Sequence, residues 1–466
     1  MFQLRPHQQK MLNAMSIHNK GIITCPTGGG KTFVFINDCR RFLGSPNVIV
    51  IVAPQHLLSQ QLFEEFDKHL LDIDFIYRQI SSEGKTYQRD RKNLKFRVSV
   101  NPQPPTTVVK DIQDTYCTAQ KVKKPLILFS TYDSLNRIVS SGIPIEVIYY
   151  DETHNATGNK VFNAVKSLSS HSKHNYFFTA TPKYTASRSS ESSGMDNKSV
   201  YGDFIFNVSF KELVQTGVIV RPWIHLLKST ANTDKMLEVS VNMQTIQEVV
   251  EHYEIEHSDT KSHKILFCAQ GTKSINDLIN SELIEWANAK GYKVLSIDSE
   301  NHGFVNGKTK VSKSKFIKTL DELGEDLNEK LIVLHYSMLG EGIDIKAFTG
   351  VVFFRQSMSS IFTTQSVGRV IRSSPGKKYG IVTIVQHEND TNENSQLMHK
   401  IITDLMIYDV PVDEIFTEVS GRGTKGEEIE DLNSALRKKI SKYAIDFEHN
   451  NILQELLKVE NPLDIF

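Results

Sequence analysis

The sequence predicts an α/β chain of two tandem, doubly wound parallel-sheet domains with a small helical C-terminal extension. Three observations point there. Apolar runs of strand length recur along the chain with helical segments between them, and the runs carry almost no polar alternation, as strands covered on both faces require. Ten such runs are too many for one small sheet, and they fall into two groups. Beyond about residue 387 the spacing turns helical, in 432–443 and 452–457.

In chain order, the first group is 21–24, 48–52, 126–129, 147–150 and 176–178. The second is 265–267, 294–297, 331–334, 351–354 and 381–385. Between them, 187–199 is rich in serine and reads as a loop. Next comes FKELVQTGVIVRPW, a short helix ending at Gly217 and an extended exit toward Trp223. The expected boundary is Val220, giving domains at 1–220 and 221–386 and the extension at 387–466. No internal repeat of fixed short period is visible.

Of the 466 residues, 39% are hydrophobic, enough core for two or three domains. Lys plus Arg number 54 and Asp plus Glu number 54, so any polyanion must be bound by a local basic track rather than by the whole molecular field. Cys25, Cys39, Cys117 and Cys268 form no CxxC or Cys/His cluster, which argues against a zinc site and a disulfide framework. Free thiols, no signal-peptide core in MFQLRPHQQK and no run of membrane-spanning length predict a soluble cytoplasmic protein with no membrane partner.

The strand GIIT leads into CPTGGGKT (25–32) and then a helical stretch. In this phosphate cradle, Thr27, Gly28, Gly29 and Gly30 make a turn whose backbone N–H groups can face a polyphosphate without Cβ obstruction. Lys31 would neutralise the β/γ-phosphates, Thr32 would offer its hydroxyl to Mg²⁺, and the helix N-terminus favours the anion. Cys25 stands where Gly or Ala is usual; it is small enough to fit. The strand-ending EVIYYDETH supplies the acids: Asp151 would hold Mg²⁺ through water and Glu152 would polarise the attacking water. ATP and Mg²⁺ are therefore the expected ligands.

With these residues in place, the chain from about 4 to 386 resembles the superfamily 2 helicases of the DExH type, in their repair and restriction-enzyme branch. LRPHQ (4–8) is similar to the adenine-reading motif, which implies that Gln8 meets the adenine edge. IVAPQHLLSQQ (51–61) and STYDSL (130–135) resemble strand-contacting motifs, DETH (151–154) motif II, and TATP (179–182) the coupling motif III. KILFCAQGTKS (264–274), LGEGIDI (339–345) and QSVGRVIR (365–372) resemble motifs IV, V and VI. The resemblance implies two RecA-like domains. It places Asp344 near the ribose and makes Gln365, Arg369 and Arg372 face the γ-phosphate from the second domain, so that hydrolysis needs both.

The stretch 78–124 holds eleven Lys or Arg against four Asp or Glu, with Tyr77, Tyr87, Phe96 and Tyr116 among them. Basic residues with interleaved aromatics suit a single strand, and solvated charged faces account for them equally well. The lysine-rich run 308–318 reads as a solvated loop and helix. The expected function is an ATP-dependent helicase or translocase acting as a monomer, on DNA in preference to RNA. The alternatives are an RNA helicase, a nucleic-acid-stimulated ATPase that remodels protein complexes, and the motor subunit of a restriction system.

Overall fold

The computed structural model describes residues 4–54, 56–82, 104–184, 193–233, 236–260, 262–298, 302–307, 309–336, 348–354, 360–387 and 416–421. It divides into two compact units, Met1–Val208 and Ser209–Phe466.

The first unit is built on seven strands: β1 (Lys20–Thr24), β2 (Val48–Ala53), β3 (Ile76–Ile80), β4 (Leu126–Thr131), β5 (Val147–Tyr150), β6 (His174–Thr179) and β7 (Phe204–Asn207). All pair in parallel, in the order β3-β4-β2-β5-β6-β1-β7. The strand VIVIVA is buried at every position, because helices packed on both faces leave no polar side to present. On one face Val48, Val50 and Val52 join Leu126, Leu128, Ile148 and Tyr150 in a single core. Aromatic packing adds to it: Phe35 meets Phe178 edge-on at 4.4 Å, and Phe63 stacks on Tyr77 at 4.1 Å. Crossover connections bring β1, β5 and β6 side by side, so their carboxyl ends open onto one crevice, where ligands bind in sheets of this kind.

The second unit carries nine strands: β8 (Arg221–Ser229), β9 (Lys264–Cys268), β10 (Tyr292–Asp298), β11 (His302–Val305), β12 (Thr309–Val311), β13 (Lys330–His335), β14 (Gly350–Phe353), β15 (Tyr379–His387) and β16 (Phe416–Gly421). Their order is β12-β11-β10-β13-β9-β14-β15-β8-β16. Only β11 and its pairings with β10 and β12 are antiparallel. The β11–β12 hairpin turns at Asn306 and Gly307, with φ of 49° and 67°, the left-handed pair of a tight hairpin turn.

Every apolar run of the sequence reading falls on a strand, with Phe354 alone extending past the end of β14, and both sheets are larger than that reading predicts. The helical segments expected at 432–443 and 452–457 lie outside the described residues; of the extension from 387, 416–421 is a strand parallel to β8, with Phe416 opposite Trp223. The lysine-rich run also departs from a loop and helix: 309–311 form β12, and the helix is Lys313–Glu325. Exposed Lys310 on this sheet-edge strand discourages edge-to-edge pairing. The division between units comes before the helix Phe210–Gln215, earlier than Val220. Val220 N–H donates to Ile371 O at 2.7 Å, which binds this segment to the second unit. Among the described residues no helix is long and apolar enough to cross a membrane. None of the four cysteines forms a disulfide, and only Cys117 is exposed.

Candidate functional site

The glycine-rich turn joins β1 to the helix Lys31–Cys39. Cys25 N–H donates to Thr179 O at 3.0 Å, fastening the turn to the end of β6, and Gly29 N–H donates to Pro26 O at 3.0 Å. Gly28 and Gly30 have φ of 91° and 81°, a region that favours glycine. At Gly30 a Cβ would also lie 2.3 Å from Gln8 Nε2. Two side chains of the helix Pro6–Ile17 hold the turn from outside. His7 Nε2 lies 2.8 Å from Gly29 O, and Gln8 Nε2 donates to Gly30 O at 3.2 Å while its Oε1 accepts from Arg5 N–H at 2.9 Å. Sequence reasoning singled out Gln8 and missed His7, whose signal was its place beside Gln8 in LRPHQ.

Lys31 is buried at the first turn of its helix, with Nζ 3.5 Å from Glu152 Oε1 and donating to Cys25 O at 3.5 Å. Burial alone would loosen its proton; the neighbouring Glu152 and Asp151 outweigh that and raise its pKa. Asp151 closes β5 with its N–H on Val52 O at 2.9 Å. Burial, then the Glu152 charge, push its carboxyl up, with Lys31 opposing. Its Oδ1 is buried and has no hydrogen-bond partner among the described residues; the same holds for Thr27 Oγ1. Thr32, half-buried, follows Lys31 in the first helical turn.

Two carboxylates thus share one ammonium in a buried crevice. Such a site has charge to spare for a divalent cation, and the glycine turn beside it leaves room for phosphate oxygens. Among the described residues no group of three or more His, Cys, Asp or Glu could hold a metal ion by itself. Mg²⁺ commonly takes one or two carboxylates and completes its shell with substrate phosphate and water, a demand that Asp151 with Thr32 would fit.

Around the acids the polar side chains are tied together. His154 Nδ1 lies 3.2 Å from Thr179 Oγ1, 3.1 Å from Thr181 Oγ1 and 3.6 Å from Glu152 Oε2. Burial lowers its pKa, against Glu152, which favours the charged form. DETH and TATP therefore touch directly. From STYDSL, Tyr132 Oη donates to Asp151 O at 2.8 Å.

In the second unit Gln365 and Arg369 are buried on the helix Ser360–Val370, and Arg372 follows it half-buried. Gln365 Nε2 has no hydrogen-bond partner among the described residues. Arg372 O accepts from Lys377 Nζ at 3.0 Å. Asp344 and the rest of LGEGIDI lie outside the described residues, as do Tyr87 and Phe96. Of the remaining aromatics proposed for strand stacking, Tyr77 is buried against Phe63, and Tyr116 is partly buried against the core. Arg78 is buried beside Asp111, at 3.3 Å.

A family model described as "Type III restriction enzyme, res subunit" matches residues 1–184. A protein of Sulfolobus islandicus filamentous virus (isolate Iceland/Hveragerdi), provisionally named helicase 22, is 22% identical over 403 residues. That alignment covers 84% of this chain and 65% of the viral protein, so the chain spans under two thirds of this relative. Among solved structures, the ATP-dependent Type ISP restriction-modification enzyme LlaBIII bound to DNA is similar with a TM-score of 0.67 at 19% identity, over 94% of this chain and 32% of that one. The DEAD-box helicase Mss116 bound to ssRNA and UDP-BeF is similar with a TM-score of 0.54 at 14% identity, over 92% and 77%. These structures share the fold of two tandem RecA-like domains. The restriction-enzyme model thus lies on the first sheet, and the viral relative aligns along most of this chain.

Proposed function

We propose that this chain hydrolyses ATP and uses the energy to move along or unwind a nucleic acid, with DNA preferred to RNA. The observation that carries the reading is the buried Lys31–Glu152 pair beside Asp151 Oδ1, which has no hydrogen-bond partner among the described residues, at the foot of a glycine turn. Lys31 binds and neutralises the β/γ-phosphates, helped by Thr27, Gly28, Gly29 and Gly30. Thr32 and Asp151 would hold Mg²⁺, which when bound neutralises charge on the phosphate oxygens. Glu152 orients the attacking water and takes its proton. Gln8 reads the adenine edge from the helix that already pins the turn, and Asp344 meets the ribose. Gln365, Arg369 and Arg372 of the second unit supply the remaining charge stabilisation, so turnover depends on groups of both units.

The preference for DNA is supported by the restriction-enzyme family model and by LlaBIII, whose structure is bound to DNA. The same similarities favour a second reading, the motor part of a restriction system. The likeness to Mss116, bound to ssRNA, keeps RNA as the substrate to test against. Side-by-side ATPase rates with single-stranded DNA, duplex DNA, branched DNA and RNA decide. DNA is expected to stimulate most. Greater stimulation by RNA overturns the preference, and no hydrolysis under any condition overturns the reading.

A further inference from the structure

Three non-glycine residues among those described have positive φ: Lys123, Glu152 and Asn306. Lys123 is exposed and Asn306 forms the hairpin turn, places where such a conformation is common. Glu152 is different. It is buried, with φ 48° and ψ 55°, a conformation that strains a residue with a Cβ and persists only where the surroundings over-determine it.

The surroundings do so on both sides. The peptide before Glu152 carries the Asp151 carbonyl, which accepts from Tyr132 Oη at 2.8 Å. The peptide after it carries the Glu152 carbonyl, which accepts from Asn155 N–H at 3.0 Å and from Asn155 Nδ2 at 3.1 Å. Tyr132 is itself fixed. It is buried in the turn that leaves β4, its ring faces Tyr150 at 6.5 Å, and Thr131 Oγ1 donates to Ser134 Oγ at 3.0 Å across the same turn. Both peptide planes flanking Glu152 are therefore clamped by side chains from outside the acid pair.

We infer that Tyr132 and Asn155 are positioning residues that hold Glu152 in its left-handed conformation and so aim its carboxylate. The inference rests on the proposed ATPase reading. Neither residue touches substrate; each acts through the Glu152 backbone. Without the Tyr132 hydroxyl the Asp151 carbonyl loses its donor, and the peptide can rotate toward a relaxed conformation that carries the carboxylate away.

The test is a double-mutant cycle in the full chain, read by single-turnover ATP hydrolysis. Tyr132→Phe keeps the ring and its packing and removes one hydrogen bond. It is expected to slow hydrolysis about tenfold, the scale of one buried hydrogen bond, with ATP affinity within about twofold of wild type. Asn155→Ala should slow it less, because Asn155 N–H still donates to the Glu152 carbonyl. In a Glu152→Gln background, Tyr132→Phe should add almost nothing, because the group it positions is already disabled. An unchanged rate in Tyr132→Phe, a loss confined to ATP affinity, or a full additional loss on top of Glu152→Gln overturns the inference. A wild-type chain that hydrolyses no ATP overturns the underlying reading and leaves Glu152 no reaction to serve.

Discussion

At the carboxyl ends of the first sheet the polar side chains are fastened to one another: Lys31 to Glu152, His154 to Thr179 and Thr181, Tyr132 to the Asp151 carbonyl. At the corresponding ends of the second sheet, among the described residues, Cys268 Sγ lies 3.1 Å from His335 Nε2, and His335 stacks on Phe362 of the helix that bears Gln365 and Arg369. Elsewhere the second unit holds a histidine cluster. His225 and His252 stack at 3.9 Å, His257 packs edge-on to Trp223 at 5.0 Å, and His263 lies 5.8 Å from Tyr253. Under the proposed function the two units do different work: the first holds the phosphate cradle, and the second supplies Gln365, Arg369 and Arg372.

If that division is right, the largest single loss should come from the first unit. Lys31→Ala removes the ammonium paired with Glu152 and should abolish ATP turnover while leaving nucleotide-free strand binding largely intact, since Lys31 is buried at the glycine turn. ATPase assay and strand titration of the purified variant check both halves. Wild-type turnover would remove the glycine turn from the mechanism.

A smaller effect should separate the units by pH. Burial holds His225 well below its ordinary pKa, His252 and His263 are each lowered to about 4 by burial first and then neighbouring cations, and His257 is lowered by burial against Asp259 and Glu256. These side chains are neutral in the fold and take up protons when the chain unfolds. Their contribution is fully present above about pH 6.5 and is lost as pH falls toward 4, because the unfolded chain binds more protons there. At pH 5 the loss is about 2 kcal/mol for each of His252 and His263. Denaturant unfolding at pH 7.5 and pH 5 should show the second unit, which holds both Trp223 and Trp286, weakening more than the first, by tryptophan fluorescence compared with circular dichroism of the whole chain. Equal weakening of both units would show that the histidine cluster does not set the difference.

Much of this was legible in the sequence because parallel strands buried on both faces write themselves as unbroken apolar runs; VIVIVA needs no context. The strands that escaped break that rule for physical reasons. β3 reads IYRQI, and its Arg78 and Gln79 are nonetheless buried, Arg78 beside Asp111. β7 is a partly exposed edge of four residues, and β16 is a short strand that gains its identity only by pairing with β8. The β11–β12 hairpin did carry a signal, Asn306-Gly307, that a search for parallel strands passes over. At the site, local motifs named Lys31, Asp151 and Glu152 directly. His7, Asn155 and the link from Tyr132 to Asp151 depend on contacts between distant segments, which no single stretch of sequence displays.

The division of labour between the units is tested most directly by Arg369→Ala in the full chain, measured as strand-stimulated ATP turnover alongside ATP affinity. An arginine that stabilises a transferring phosphoryl group is worth about 10³–10⁵ in rate. The account predicts a loss of about that size with ATP still bound, because the first unit's cradle is untouched. Turnover within a few-fold of wild type would mean that the first unit works alone, and would contradict it.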